Sequence, residues 1–298
     1  MNTVLSALIH PRANAEFFEA YETNIPFVVH GPSETIKDLT SLPFLESLEA
    51  LLNSWPNQIQ AHLPDVRDEA SSIDTTPKDA KKLFDNGMGL LFKNVNTISP
   101  VLAHWLLELR RDLGLSALTN ARSSIYVTPK GSGTAPHFDQ NINFVLQISG
   151  SKKWWIAPNE HVANPMTRHT MGQPCDPELE SYLDAPMPTS MPEDISPIVL
   201  KAGSLLFVPR GSWHSTEAES DALSLNFTFT APTWIDLFTA ALRGRLAQSS
   251  QWRETADGVS DFSRCAQAEH KFDFLLAGLI DDLPNWRASD ILGATETD

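Results

Sequence analysis

The sequence predicts an α+β chain with a mainly β core and flanking helices, in which a small barrel with a polar interior sits between helical segments. Three observations predict it. Between Ser123 and Phe229, three segments alternate polar and apolar residues with a period of two. Before Ser123 and beyond Thr233, apolar residues recur at helical spacing. A length of 298 residues, 42% of them hydrophobic, is enough for one barrel with helical additions.

The elements follow in chain order. Residues 13–23 have helical spacing, Ile25 to Val29 reads as a short strand, residues 41–52 are amphipathic, and Pro77 to Asn86 opens a helix on its proline. Met88 to Phe92 is a strand, and Ser99 to Leu113 is a helix with Ser99 as N-cap and Pro100 at its first position. In SSIYVT (123–128), Ser124, Tyr126 and Thr128 share one face. In NINFVLQI (141–148), Ile142, Phe144, Leu146 and Ile148 lie opposite Asn141, Asn143, Val145 and Gln147; in phase, that second face extends back to Asp139 and His137. In LSLNFTF (223–229) the polar face is Ser224, Asn226 and Thr228. Residues 169–200 hold six prolines, six acids and no Lys or Arg, a length typical of a lid or binding loop. Beyond Thr233 the spacing predicts a helix from Trp234 and a second, apolar over much of its circumference, near Ala268 to Ile280. The expected organisation is an N-terminal segment (1–119) packed on a barrel (120–232, with a lid-like insert at 159–200) and a helical extension (233–298).

Lys and Arg number 22 against 37 Asp and Glu, a net charge of −15. That argues against non-specific binding to nucleic acid or an anionic membrane. Cys175 and Cys265 are far apart and form no disulfide framework or CxxC pair. Met1 to Arg12 lacks the pattern of a signal peptide, and no apolar run would span a bilayer. A soluble, reducing, cytoplasmic setting is expected.

The residues that carry chemistry are His137, Asp139 and, 77 residues later, His214. Two imidazoles and one carboxylate form the facial triad of non-haem Fe(II) enzymes, which leaves coordination positions open. Residues i and i+2 of a strand point the same way, so His137 and Asp139 can share one ion, with His214 arriving from a neighbouring strand. The HxD pair alone is weak; its context is stronger, because His137 follows KGSGTAP and His214 follows the apolar run LLFVPRGSW. His161, His169 and Cys175 could imitate a zinc set but read as surface residues, and KGSGT lacks the ending of a phosphate loop.

The segments TPKGSGTAPHFDQNINFVLQISGSKKWWIAP (128–158), KAGSLLFVPRGSWH (201–214) and SLNFTF (224–229) resemble the core of JmjC-type cupin oxygenases, which include ribosomal-protein hydroxylases and the asparaginyl hydroxylase of hypoxia-inducible factor. The resemblance is strong over roughly residues 120–230 and looser over 17–31 and 81–115. It implies a double-stranded β-helix (jelly-roll) core and makes His137, Asp139 and His214 ligands of Fe(II). It also implies that Lys152, with hydroxyls from Thr134 and Tyr126, binds the distal carboxylate of 2-oxoglutarate. Asn143 and Asn226 match positions beside the iron or the other carboxylate. The reaction implied consumes O2 and 2-oxoglutarate, releases succinate and CO2, and hydroxylates an amino-acid side chain in a peptide, protein or amino-acid-derived small molecule.

Other readings share these residues. N-methyl demethylation uses the same first step. A non-catalytic cupin would use the pocket for binding only, and cupins of other metals tend to add His or Glu ligands where this chain has Asn141 and Asn143. The acids Asp176, Glu178, Glu180, Asp184, Glu193 and Asp194, if they cover the barrel mouth, predict a cationic substrate. About 60 residues follow the barrel, too few for both the dimerisation region and the winged-helix domain of the larger ribosomal hydroxylases. The resemblance implies a homodimer through the C-terminal helices.

Overall fold

The alternating segments become two antiparallel sheets around a polar interior in the computed structural model, which describes residues 3–31, 34–63, 71–293 and 295. In chain order the strands are β1 (Phe27–Val29), β2 (Ile59–His62), β3 (Ser72–Thr75), β4 (Gly89–Phe92), β5 (Asn120–Thr128), β6 (Gly133–Phe138) and β7 (Ile142–Ser149). There follow β8 (Ser151–Ala157), β9 (His169–Thr170), β10 (Ile198–Lys201), β11 (Leu205–Val208), β12 (Trp213–Ala218) and β13 (Ala222–Thr230). The larger sheet runs β1-β11-β7-β13-β5-β4-β2-β3 and the smaller β10-β8-β12-β6-β9. From β5 to β13 the chain passes repeatedly from one sheet to the other, the double-stranded β-helix expected from the sequence.

Such crossings need sharp corners. At Gly150, between β7 and β8, φ is +72° and a Cβ would lie 2.1 Å from the Asp221 carbonyl oxygen, so only glycine fits. At Gly133 a Cβ would lie 1.8 Å from the Thr216 carbonyl oxygen, so its absence lets β6 close on β12.

The faces read from the sequence separate as expected on the larger sheet. Ile125, Val127, Ile142, Phe144 and Leu146 join one hydrophobic core with the N-terminal helices. Phe17, fully buried on the helix Asn14–Glu22, packs against Phe27, Phe144 and Phe207 with ring centroids 5.7, 5.6 and 5.2 Å away. The helix Pro100–Asp112 starts where expected, its Leu102 N–H donating to Ser99 Oγ at 3.3 Å. The 41–52 stretch divides into a 3-10 turn (Pro43–Leu45) and a helix (Leu48–Ser54), because Ser47 caps a fresh start by accepting from Ala50 N–H at 3.1 Å. Strands β1 to β4 are hydrogen-bonded members of the larger sheet, and Met1–Leu115 forms one unit with Asn120–Thr230.

His137 does not continue the face of β7: it belongs to β6 in the smaller sheet, and Asp139 lies in the turn between β6 and β7 where the chain changes sheets.

The insert after β8 covers the outward face of the smaller sheet. Phe138 and Trp213 alternate with His137 and His214, and their side chains pack outward with Ala157, Val162 and Leu179 in a second core. The two rings meet edge to face at 4.7 Å.

The second unit comprises Ser116–Thr119 and Ala231–Asp298. Its helices are Trp234–Leu246, Cys265–Asp282 and Ala288–Gly293, none with a buried residue among those described. Arg245 grips Asp282 through Nε and Nη2 at 2.7 and 2.5 Å. Among the described residues, no helix is long and apolar enough to cross a membrane.

Candidate metal centre

Strands β12 and β6 pair with His214 opposite His137, which brings the ring centroids to 4.1 Å. Each ring is oriented by its own strand. His137 Nδ1–H donates to the Ala135 carbonyl at 2.7 Å and His214 Nδ1–H to that of Ser212 at 2.9 Å; a carbonyl can only accept, so in the neutral rings the acceptor lone pair is on Nε2. Asp139 Oδ2 lies 3.9 Å from His137 Nε2 and 3.8 Å from His214 Nε2. The three donor atoms lie within 4.8 Å of one another, the one His/Cys/Asp/Glu cluster of this kind among the described residues.

The protonation states suit a cation. Burial lowers the pKa of both imidazoles, keeping them neutral. Burial alone would raise that of Asp139; the imidazoles of His137 and His214 when protonated, and the standing guanidinium charges of Arg168 and Arg122, outweigh it and hold the carboxyl below its ordinary value. Two neutral imidazoles and one carboxylate are the deprotonated ligands that a divalent metal requires.

The other candidates converge here. A cavity of about 90 Å³ is lined by Tyr126, Thr134, Asn143, Lys152 and Asn226 together with the triad, so all eight residues singled out in the sequence meet in one place. Lys152 extends inward from β8, only 4% exposed; its Nζ donates to Thr128 Oγ1 at 2.8 Å, and no carboxylate pairs with it among the described residues. Burial pushes its pKa down to about 8. Thr134 and Thr216 share a hydroxyl hydrogen bond of 2.9 Å, and Asn143 Oδ1 accepts from Thr228 Oγ1 at 2.8 Å. Asn226 Oδ1 is buried with no hydrogen-bond partner among the described residues.

These residues fit Fe(II) and a dianionic co-substrate. A buried cation without an anion and a buried carbonyl without a donor are costly left alone. A carboxylate beside Lys152 relieves the first, and a metal-bound donor beside Asn226 relieves the second. Five of the lining residues also border a larger cavity of about 420 Å³, which Arg122, Gln140 and Arg168 line as well.

Two expectations from the insert need correction. None of Asp176, Glu178, Glu180, Asp184, Glu193 and Asp194 lines either cavity, because the apolar residues of the insert pack on the outward face of the smaller sheet; among the described residues, the charged side chains that line the larger cavity besides Asp139 are Arg122 and Arg168. His169 is not a surface residue: it is 5% exposed, on β9, against Phe138 and Trp213 at 5.8 and 6.1 Å. Arg168 was not legible as a site residue, yet its Nε lies 3.2 Å from Asp139 Oδ1. Nothing in its local sequence marks it; only the pairing of β9 with β6 brings it in.

Comparison with known proteins agrees with this geometry. The model of the JmjC domain matches residues 105–237. The uncharacterized protein YxbC of Bacillus subtilis (strain 168) is 32% identical over 273 residues, covering 90% of this chain and 83% of that one. Ribosomal oxygenase 1 of Gallus gallus is 27% identical over 264 residues; the match takes in 83% of this chain but 41% of the relative's length. YcfD, a ribosomal oxygenase from Escherichia coli solved with cobalt and succinic acid, shares the fold with a TM-score of 0.53 at 18% identity, over 91% of this chain and 67% of that one. The barrel that brings His137, Asp139 and His214 together is a JmjC domain, and the chain belongs to the JmjC-domain family.

Proposed function

We propose that this chain uses Fe(II), 2-oxoglutarate and O2 to hydroxylate an amino-acid side chain in a peptide or protein. The observation that carries the reading is the triad, its donor atoms within 4.8 Å of one another, in one cavity with a buried Lys152 that pairs with no carboxylate among the described residues. The relatives named ribosomal oxygenases support a protein or peptide as substrate.

His137 Nε2, His214 Nε2 and Asp139 Oδ2 would hold the metal, and Lys152 with the Thr134 and Tyr126 hydroxyls would hold the far carboxylate of 2-oxoglutarate. Asn143 and Asn226 border the same cavity with amide groups. Bound there, iron and 2-oxoglutarate would supply O2 activation for insertion of one oxygen atom into a C–H bond, the second oxygen atom going into succinate as CO2 leaves. The chain's own part is placement. The carbonyls of Ala135 and Ser212 fix the two rings, the buried ammonium of Lys152 anchors the dianion at one end, and the apolar outward core behind β6 and β12 keeps those strands in register.

Succinate formation from 2-oxoglutarate in the presence of Fe(II) and O2 tests the reading. Wild type forms succinate and His214→Ala does not; wild-type protein that forms none overturns it. With a peptide substrate, gain of one oxygen atom supports hydroxylation, whereas release of formaldehyde assigns demethylation instead.

We also infer that the C-terminal helices pair with a second copy of the chain. Trp234 is 77% exposed, and Phe274 and Ile280 are 64% and 65% exposed, a large apolar surface for helices with no buried residue. A monomeric mass by light scattering overturns this. Free Cys175 and Cys265 suit a reducing cytoplasmic setting.

A further inference from the structure

We propose that Arg168 is a positioning residue of the metal centre, holding Asp139 Oδ1 so that the carboxylate offers the metal only Oδ2. This rests on the reading of His137, Asp139 and His214 as metal ligands. The two histidine rings are fixed by strand carbonyls, whereas Asp139 lies in the turn after β6, where its own carbonyl accepts from Gly211 N–H at 2.8 Å but no backbone group among the described residues holds the carboxylate. The carboxylate is held from the insert. Arg168 Nε lies 3.2 Å from Oδ1, while Oδ2 faces the two imidazoles at 3.9 and 3.8 Å.

Arg168 is itself placed by β9. Its Nη1 donates to Thr170 Oγ1 at 3.1 Å, and Thr170 is the register partner of His137. Met171 N–H donates to the Pro136 carbonyl at 2.8 Å, and His169 is wedged against Phe138 and Trp213, so the short strand is tied to the strands that carry the histidines.

The chemical consequence concerns coordination number. A free carboxylate can rotate or chelate through both oxygens, taking a second position on the metal. With Oδ1 engaged by a guanidinium, Asp139 is held to one donor, and three positions stay open for co-substrate and oxygen. Arg168 also repels an incoming cation, but its side chain is 41% exposed and screened by water, so orientation outweighs repulsion.

Co(II) alone, titrated into the full-length chain by calorimetry and visible absorption, tests the inference. Arg168→Ala should weaken Co(II) binding by about 10- to 100-fold, the usual cost of losing a group that orients a ligand, and alter the visible spectrum of the bound ion. Arg168→Lys, which returns a cation within reach of Oδ1, should recover part of both. Thr170→Val should lose less, in the same direction. Wild-type affinity and spectrum in Arg168→Ala would overturn the proposal; should that variant not fold, unchanged Co(II) binding in Thr170→Val would do so. A wild type that binds no Co(II) overturns the metal-centre reading and this inference with it, whereas normal wild-type binding with unaffected variants overturns the inference alone.

Discussion

His137 and His214 are register partners on adjacent antiparallel strands, each donating from Nδ1 to the carbonyl two residues before it, so that both Nε2 atoms are turned toward Asp139. The arrangement follows from strand geometry: side chains opposite each other across a ladder are neighbours, and each alternates with an aromatic residue facing the other way, Phe138 and Trp213. One pairing thereby builds the metal side and its apolar backing together.

Removing the backing should therefore cost both. Trp213→Ala creates a cavity behind the ligand strand and is expected to destabilise the fold by about 3–5 kcal/mol, with weaker Co(II) binding in the folded fraction. Denaturant titration and metal calorimetry on the same preparation check the pair of effects.

Phe17→Ala separates the two. It lies in the core between the N-terminal helices and the larger sheet, away from both cavities. The expected loss is again about 3–5 kcal/mol by urea unfolding, with metal affinity in the folded state unchanged.

Lys152 gives the pH dependence. Its folded pKa, about 8, lies below its ordinary value of 10.5, so between these limits the unfolded chain binds more protons than the folded one. Stability of the cofactor-free protein should therefore rise with pH across this window, by up to about 3 kcal/mol relative to Lys152→Met. Co-substrate binding has the opposite slope, because the dianion needs the charged ammonium. Calorimetry should show 2-oxoglutarate affinity falling as pH climbs above about 8 in wild type, with no such fall in Lys152→Arg, whose guanidinium stays protonated.

Gly133→Ala tests the closure of the barrel. The added Cβ would sit 1.8 Å from the Thr216 carbonyl oxygen, so β6 must move off β12 and carry His137 with it. Loss of Co(II) binding together with a lowered unfolding midpoint is expected; a variant matching wild type in both would show that the approach is not needed.

Much of this was legible in the sequence because period-two alternation is a local property. Tyr126, Asn143 and Asn226 could be assigned to the polar interior from the faces of their own segments, and the structure brings them into one cavity. The phase of residues 141–148 could not be carried back to His137, because the turn at Asp139 moves the chain to the other sheet, and alternation does not survive a corner. Arg168 and His169 were out of reach for a different reason. Their placement depends on a two-residue strand pairing with β6, a contact that leaves no periodic trace. Length misled for the insert: it suggested a lid whose acids would face the mouth, but its apolar residues, Val162 and Leu179, determine which face it covers.

The central claim is that the triad and Lys152 together bind Fe(II) and 2-oxoglutarate. An anaerobic titration with both, monitored for the metal-to-ligand charge-transfer absorption of the chelate, tests it most directly. The band should appear in wild type, vanish in His137→Ala and weaken in Lys152→Met. Iron that binds without the band would contradict the co-substrate assignment and place the barrel among cupins of another metal chemistry.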